Sequence, residues 1–316
     1  MGRRTILDVD TGNDDAVAII LAALHPAIDV LGVTTVSGNI DVEFTTDNTL
    51  RVLDYINRQD IPVYKGLGRP FTPRPFARPS QVASTGAQAH QLHLDLPEPT
   101  MSAQSATAVE WLVETLRTAT EQITLIPVAP LTNIAAAVTI APEIVHAVDE
   151  VIIMGGASGR GNESSQAEFN VHEDPLAAQV VLSAGFEKVT MIPLDATRQA
   201  LLSVNECAKM RDSGTKAAMA TAGIVESYIA ARQGQPWAIE KDSAPIHDAL
   251  CVAYAINPAS VETTFLPVSV DTTGFHTFGR TIVDPFGRDG RDANVWWAHS
   301  TNLRVFNDVL FEALSY

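Results

Sequence analysis

Asp8-Val9-Asp10-Thr11-Gly12-Asn13-Asp14-Asp15 puts four carboxylates into one short stretch, directly between an apolar strand and an apolar helix. The run Thr5-Ile6-Leu7-Asp8-Val9 has β character, and Ala16-Val17-Ala18-Ile19-Ile20-Leu21-Ala22-Ala23-Leu24 reads as a buried helix. Alternation along a strand sends Asp8 and Asp10 to one face, with Asp10 nearer the carboxyl edge. Asp14 and Asp15 fall in the first helical turn, where free N–H groups and the helix dipole favour anions. Helical neighbours point about 100° apart, so these two are expected to serve different partners, one a metal and the other something beside it. That much negative charge at one corner is unfavourable without compensation, and a hard cation with oxygen ligands is the expected source. An Asp pair alone would only cap a helix. The spacing excludes an EF-hand, because Gly12 and Ile19 stand where that loop needs acids.

Outward from this corner, strand-like and helix-like segments alternate. Strands are expected near 4–9, 29–36, 122–128, 150–154 and 188–194, with helices near 14–24, 43–58, 103–119, 130–140 and 174–184. This rhythm implies an α/β fold with a mostly parallel open sheet covered by helices. Beyond residue 200 the pattern is helical over 204–232 and 245–256, then β-like over 263–270, 277–283 and 294–298, with a closing helix from about 302. Segments 66–100 and 232–244 fit neither pattern and are candidate walls or lids of a site. Without repeats or an evident linker, residues 1–316 read as one domain.

Composition narrows the partners. With 316 residues, 46% of them hydrophobic, the chain can bury a large core. A net charge of −16 argues against nucleic acid or an anionic membrane and suits a neutral or cationic small ligand. Cys207 and Cys251 stand far apart and read as packing residues in a reducing compartment. The expected setting is the cytoplasm, since no signal-peptide run precedes the first strand and no apolar run approaches membrane-helix length.

Open parallel sheets bind ligands beyond the carboxyl ends of their strands. Here those ends carry Asp10, then Ser37-Gly38-Asn39, then Val128-Ala129-Pro130-Leu131-Thr132-Asn133, then Met154-Gly155-Gly156, and finally Asp195. The loop after Gly156 adds Asn162 and Glu168-Phe169-Asn170, with Glu168 and Asn170 on one face if extended and suited to hydroxyl groups. His247-Asp248 opens a helix bounded by Pro245 and by Asn257-Pro258. Each feature alone has a structural explanation; five polar strand ends together indicate a site.

Taken in order, these motifs resemble the inosine–uridine-preferring nucleoside hydrolase family. Val36-Ser37-Gly38-Asn39, Pro130-Leu131-Thr132-Asn133, Ala167-Glu168-Phe169-Asn170 and Phe278-Gly279-Arg280-Thr281 extend the likeness over almost the whole chain. The resemblance implies a Rossmann-like sheet, a bound Ca²⁺, hydrolysis of the N-glycosidic bond of ribonucleosides, and a homodimer or homotetramer. By matching motif it implies Asp10, Asp15, Asp248 and the Val128 carbonyl as Ca²⁺ ligands, with the ribose diol and a water completing the shell. It further implies Asp14, Asn39, Met154, Asn162, Glu168 and Asn170 around the substrate, Asp10 as general base towards a metal-bound water, and His247 either as an acid for some leaving bases or as a passive contact. The family's His-Gly pair is replaced by Ser84-Thr85-Gly86, with His90 and His93 downstream, so base preference stays open. Tyr228, Arg232 and Trp237 are candidate base-facing residues, although Tyr228 and Trp237 also suit helix packing.

Two other readings are weaker. A haloacid dehalogenase-type phosphatase also places Asp-x-Asp after its first strand, but wants Thr or Val where Gly12 stands. A Ca²⁺-dependent sugar- or nucleoside-binding protein without turnover would be favoured by loss of Asp10 or Asp248, and both are present.

Overall fold

The computed structural model describes residues 2–72, 92–235, 238 and 240–315. The first half alternates β1 (Arg3–Val9), α1 (Asn13–Leu24), β2 (Ile28–Thr35), α2 (Val42–Tyr55), β3 (Val63–Lys65), α3 (Ala108–Arg117), β4 (Ile123–Pro127) and α4 (Thr132–Ile140). There follow β5 (Val148–Met154), α5 (Phe169–Glu173), α6 (Pro175–Leu182), β6 (Val189–Ile192), α7 (Leu194–Thr197), β7 (Leu201–Ser203), α8 (Val204–Ser213) and α9 (Lys216–Arg232). The chain continues through β8 (Ser243–Pro245), α10 (His247–Ile256), β9 (Val261–Leu266), β10 (Val268–Val270), β11 (Thr281–Val283), β12 (Val295–Thr301) and α11 (Leu303–Ala313).

Eight strands form one sheet in the order β3-β2-β1-β4-β5-β6-β12-β9, parallel throughout except for the antiparallel pair β12–β9. The winding runs from β1 through β2 to β3 on one side and resumes with β4 on the other. The crevice between β1 and β4 is therefore a topological switch point, where such sheets bind ligands.

The sheet is buried on both faces, which is why its central strands are apolar almost without interruption. Leu7 and Val9 face a core built with α1, α2, α8, α9, α10 and α11, while Ile6 faces the other core beside α3, α4 and α6. Helix α1 is buried along nearly its whole length and packs against α2, α9 and α10. That explains its apolar circumference: a helix with neighbours all round has no water-facing side to mark.

The α/β expectation is borne out, although β3, α7, β7 and β8 were not expected and several expected stretches divide or shorten. The helical stretch 204–232 is two helices, broken where Gly214 takes φ +73° and Thr215 caps α9 by accepting from Ala218 N–H. The β-like stretch 263–270 divides at Pro267, so that β9 joins the main sheet and β10 pairs with β11 in a separate ribbon. The stretch 277–283 is a strand only over Thr281–Val283. Both cysteines are buried and unpaired. Among the described residues no helix is long and apolar enough to cross a membrane.

Candidate active site

β1 ends at Val9, and the chain turns through Asp10, Thr11 and Gly12 into α1. Asp15 reaches back across this turn: its carboxylate accepts the main-chain N–H of Asp10 at 3.1 Å and of Gly12 at 2.9 Å. At the end of β2, Asn39 donates its main-chain N–H to Oδ2 of Asp10 at 2.6 Å, and its side-chain amide to the Asp10 carbonyl at 3.3 Å. From the far half of the sequence, the start of α10 brings in Asp248. One carboxylate oxygen from each of Asp14, Asp15 and Asp248 lies within 4.8 Å of the other two, and all three residues are buried.

Asp8 does not join this group. Alternation places it with Asp10, but the strand ends before Asp10, and the Asp8 Oδ1 accepts from Thr34 Oγ1 at 2.6 Å and Asn133 Nδ2 at 2.8 Å. The fourth acid of the cluster is instead Asp248. Asn133 also donates to the Thr35 carbonyl and accepts Leu67 N–H, so one buried amide joins β1, β2 and the segment after β3.

The electrostatics are those of crowded, dry carboxylates. Burial raises the pKa of Asp10 well above its ordinary value, and the charge of Asp15 adds to the effect. Asp14 is pushed up to about 7 by burial and then by Asp15, against a lowering influence from Arg232. Burial, followed by Asp14, Asp15 and Asp10, holds Asp248 far up as well. Asp15 is raised by burial, with main-chain N–H groups opposing. The largest charge influences on Asp10, Asp14 and Asp248 thus come from one another and from Asp15, the situation a bound cation would relieve.

These acids line a cavity of about 430 Å³. Asp10, Asp14, Asn39, Val128, Met154, Asn162, Glu168, Asn170, His247 and Asp248 all border it; Asp15 lies behind them, within reach of Asp14 and Asp248. Glu168 caps α5, its carboxylate accepting N–H groups of Gly156, Asn170 and Val171 at 2.9, 2.8 and 3.1 Å. Burial nevertheless pushes it up to about 7. Asn170 donates to the carbonyls of Val128 at 2.8 Å and Met154 at 3.1 Å, tying two strand ends together. His247 Nδ1 lies 2.7 Å from Thr197 Oγ1, which fixes the ring at the cavity wall.

Tyr228 and Arg232, one turn apart on α9, both border the cavity, with the guanidinium 5.5 Å from the ring centroid. Tyr228 is buried as packing would require, yet it is also part of the wall. His93 is engaged elsewhere, 2.8 Å from Asp47. Ser84, Thr85, Gly86, His90 and Trp237 lie outside the described residues. Glu240 comes from segment 232–244, an expected wall, whereas Arg160, Ser164, Ser165, Leu194 and Arg198 also border the cavity without having been anticipated. No periodic pattern marks them; only the position of Arg198, just after the strand end at Asp195, could have suggested it.

Residues 5–308 match the family described as inosine-uridine preferring nucleoside hydrolase. A pyrimidine-specific ribonucleoside hydrolase, RihB, of Escherichia coli is 38% identical over 295 residues, covering 92% of this chain and 90% of the relative. RihA of Photobacterium profundum, also described as pyrimidine-specific, is 34% identical and covers 100% and 99%. Among solved structures, a purine-preferring ribonucleoside hydrolase from Gardnerella vaginalis superposes with a TM-score of 0.89 at 31% identity, covering 99% and 98%. This chain therefore belongs to the inosine-uridine preferring nucleoside hydrolase family and is a ribonucleoside hydrolase.

Proposed function

We propose that the chain splits the N-glycosidic bond of ribonucleosides into ribose and free nucleobase, in a Ca²⁺-dependent reaction with Asp10 as general base, in the service of nucleoside salvage. One observation carries the reading: buried carboxylates from the β1–α1 corner and the start of α10 crowd together at a cavity over the sheet's switch point. The donor set fits a hard divalent cation, because it offers carboxylate oxygens and a nearby main-chain carbonyl and no thiolate. Asp10, Asp15, Asp248 and the Val128 carbonyl would hold the ion. When bound, Ca²⁺ offsets the repulsion among these acids, fixes the sugar diol and makes a water more acidic.

The remaining chemistry belongs to the chain's own residues. The Asn39 N–H steadies one oxygen of Asp10, and this carboxylate takes a proton from the attacking water. Hydroxide adds to C1′ as the C1′–N bond breaks, its electron pair leaving with the base. Positive charge grows on the sugar in between, and the buried carboxylates of Asp14 and Glu168 stabilise it. Asn39, Asn162, Asn170 and Glu168 hold the sugar hydroxyls, and Met154 contributes to the same wall. The departing base takes up a proton from His247 at the cavity wall, and Tyr228 and Arg232, which border the same cavity, face the base. A single catalytic domain over residues 1–316, a homodimer or homotetramer and a cytoplasmic setting complete the reading, on the family resemblance and the two buried free thiols.

The test is release of free ribose from a panel of purine and pyrimidine ribonucleosides in phosphate-free buffer. The panel must span both kinds of base, because the relatives divide on that point. Ribose from at least one nucleoside is expected. Ribose 1-phosphate formed only when phosphate is added, or no cleavage of any member, would overturn the reading.

A further inference from the structure

We propose that Arg198 is a positioning residue for the substrate, holding the main chain that carries Asn162 at the cavity wall. This inference rests on the reading of Asn162 as a contact to the sugar.

The segment between β5 and α5 has no regular structure, so its carbonyls need donors from elsewhere. The Arg198 guanidinium supplies two: Nη1 donates to the Arg160 carbonyl and Nη2 to the Gly161 carbonyl, each at 2.8 Å. A rigid planar fork suits two successive carbonyls in a way that a single ammonium does not. Asn162 is the next residue, with its N–H given to the Ala167 carbonyl and its Oδ1 accepting from Phe169 N–H at 2.8 Å. On the inner side the segment has no slack. A Cβ on Gly161 would lie 2.1 Å from the Ala167 carbonyl oxygen and 2.4 Å from that of Ser164.

The same short turn grips the segment a second time. Asp195 accepts from Ser158 N–H at 2.8 Å and from Ser158 Oγ at 2.7 Å. The segment's ends are fixed without Arg198, through Thr281 on Ala157 and through the Glu168 cap on α5. Removing the guanidinium therefore takes the outside donors from the Arg160 and Gly161 carbonyls, just before Asn162, and leaves the anchors at both ends in place.

A double-mutant cycle tests this, with Arg198→Met, Asn162→Ala and the pair, reading KM and kcat by ribose release and Tm by thermal unfolding. Arg198→Met is expected to raise KM about tenfold, the scale of a small misplacement of a substrate contact, with a lesser change in kcat. Combined with Asn162→Ala it should add little to the penalty of Asn162→Ala alone, and Arg198→Lys should recover part of the loss. Additive penalties, or a wild-type KM in Arg198→Met whatever its Tm, would overturn the positioning role while leaving Asn162 as a contact. A wild-type KM in Asn162→Ala would instead contradict the contact itself, and this inference with it.

Discussion

The main-chain N–H of Asn39 lies 2.6 Å from Oδ2 of Asp10, so the end of one strand sets the carboxylate at the end of its neighbour. The residue before Asn39 shows how closely the two are fitted. A Cβ on Gly38 would stand 2.2 Å from Oδ2 of Asp10 and 2.9 Å from Cδ of Pro130.

Gly38→Ala is therefore expected to displace the Asp10 carboxylate without replacing any residue that borders the cavity. Displacement of a reacting group by about 1 Å costs roughly 100-fold in rate, so kcat should fall by about that factor. Steady-state ribose release measures it; a variant with wild-type kcat would show that Asp10 is not held where the chemistry needs it.

Asp10→Asn keeps the side chain's shape and an oxygen for the Asn39 N–H but cannot take a proton. Loss of a general base typically costs about 10²–10⁴-fold, and kcat should fall within that range while nucleoside affinity, read by calorimetry, changes little. Undiminished turnover would remove Asp10 from the role of base.

Asp8 offers a prediction about stability. Burial pushes its carboxyl up to about 7 from the ordinary 3.8, against the hydrogen bonds from Thr34 and Asn133. Among the described residues its Oδ2 has no hydrogen-bond partner. Between pH 4 and 7 the folded chain thus binds more protons at this site than the unfolded chain, and stability falls as pH rises. At ~1.4 kcal/mol per pKa unit the penalty reaches a few kcal/mol above pH 7. Asp8→Asn removes it. In chelator, chemical denaturation should show the variant gaining stability relative to wild type between pH 5 and pH 8, and a constant difference across that range would contradict the assignment.

Much of this arrangement is legible in the chain because it is local. The change from β pattern to helix pattern around Gly12 marks the corner, and His247-Asp248 stands at a helix start bounded by prolines. Gly214-Thr215, a helix stop followed by a helix cap, was equally readable and explains why 204–232 is not one helix. What could not be read depends on partners distant in sequence. Asp8 turns to Thr34 and Asn133 because those strand and helix neighbours offer it donors, which the alternation rule cannot include. Arg198 reaches two carbonyls nearly forty positions earlier. Nothing periodic announces such a contact.

The proposed reaction depends above all on a divalent ion held by the acids around Asp10 and Asp248. The direct measurement is elemental analysis of the purified chain alongside ribose release before chelation, after it, and after Ca²⁺ is restored. One divalent ion per chain, loss of ribose release in chelator and its recovery with Ca²⁺ are expected; a metal-free chain releasing ribose at the full rate would rule out the role of the ion.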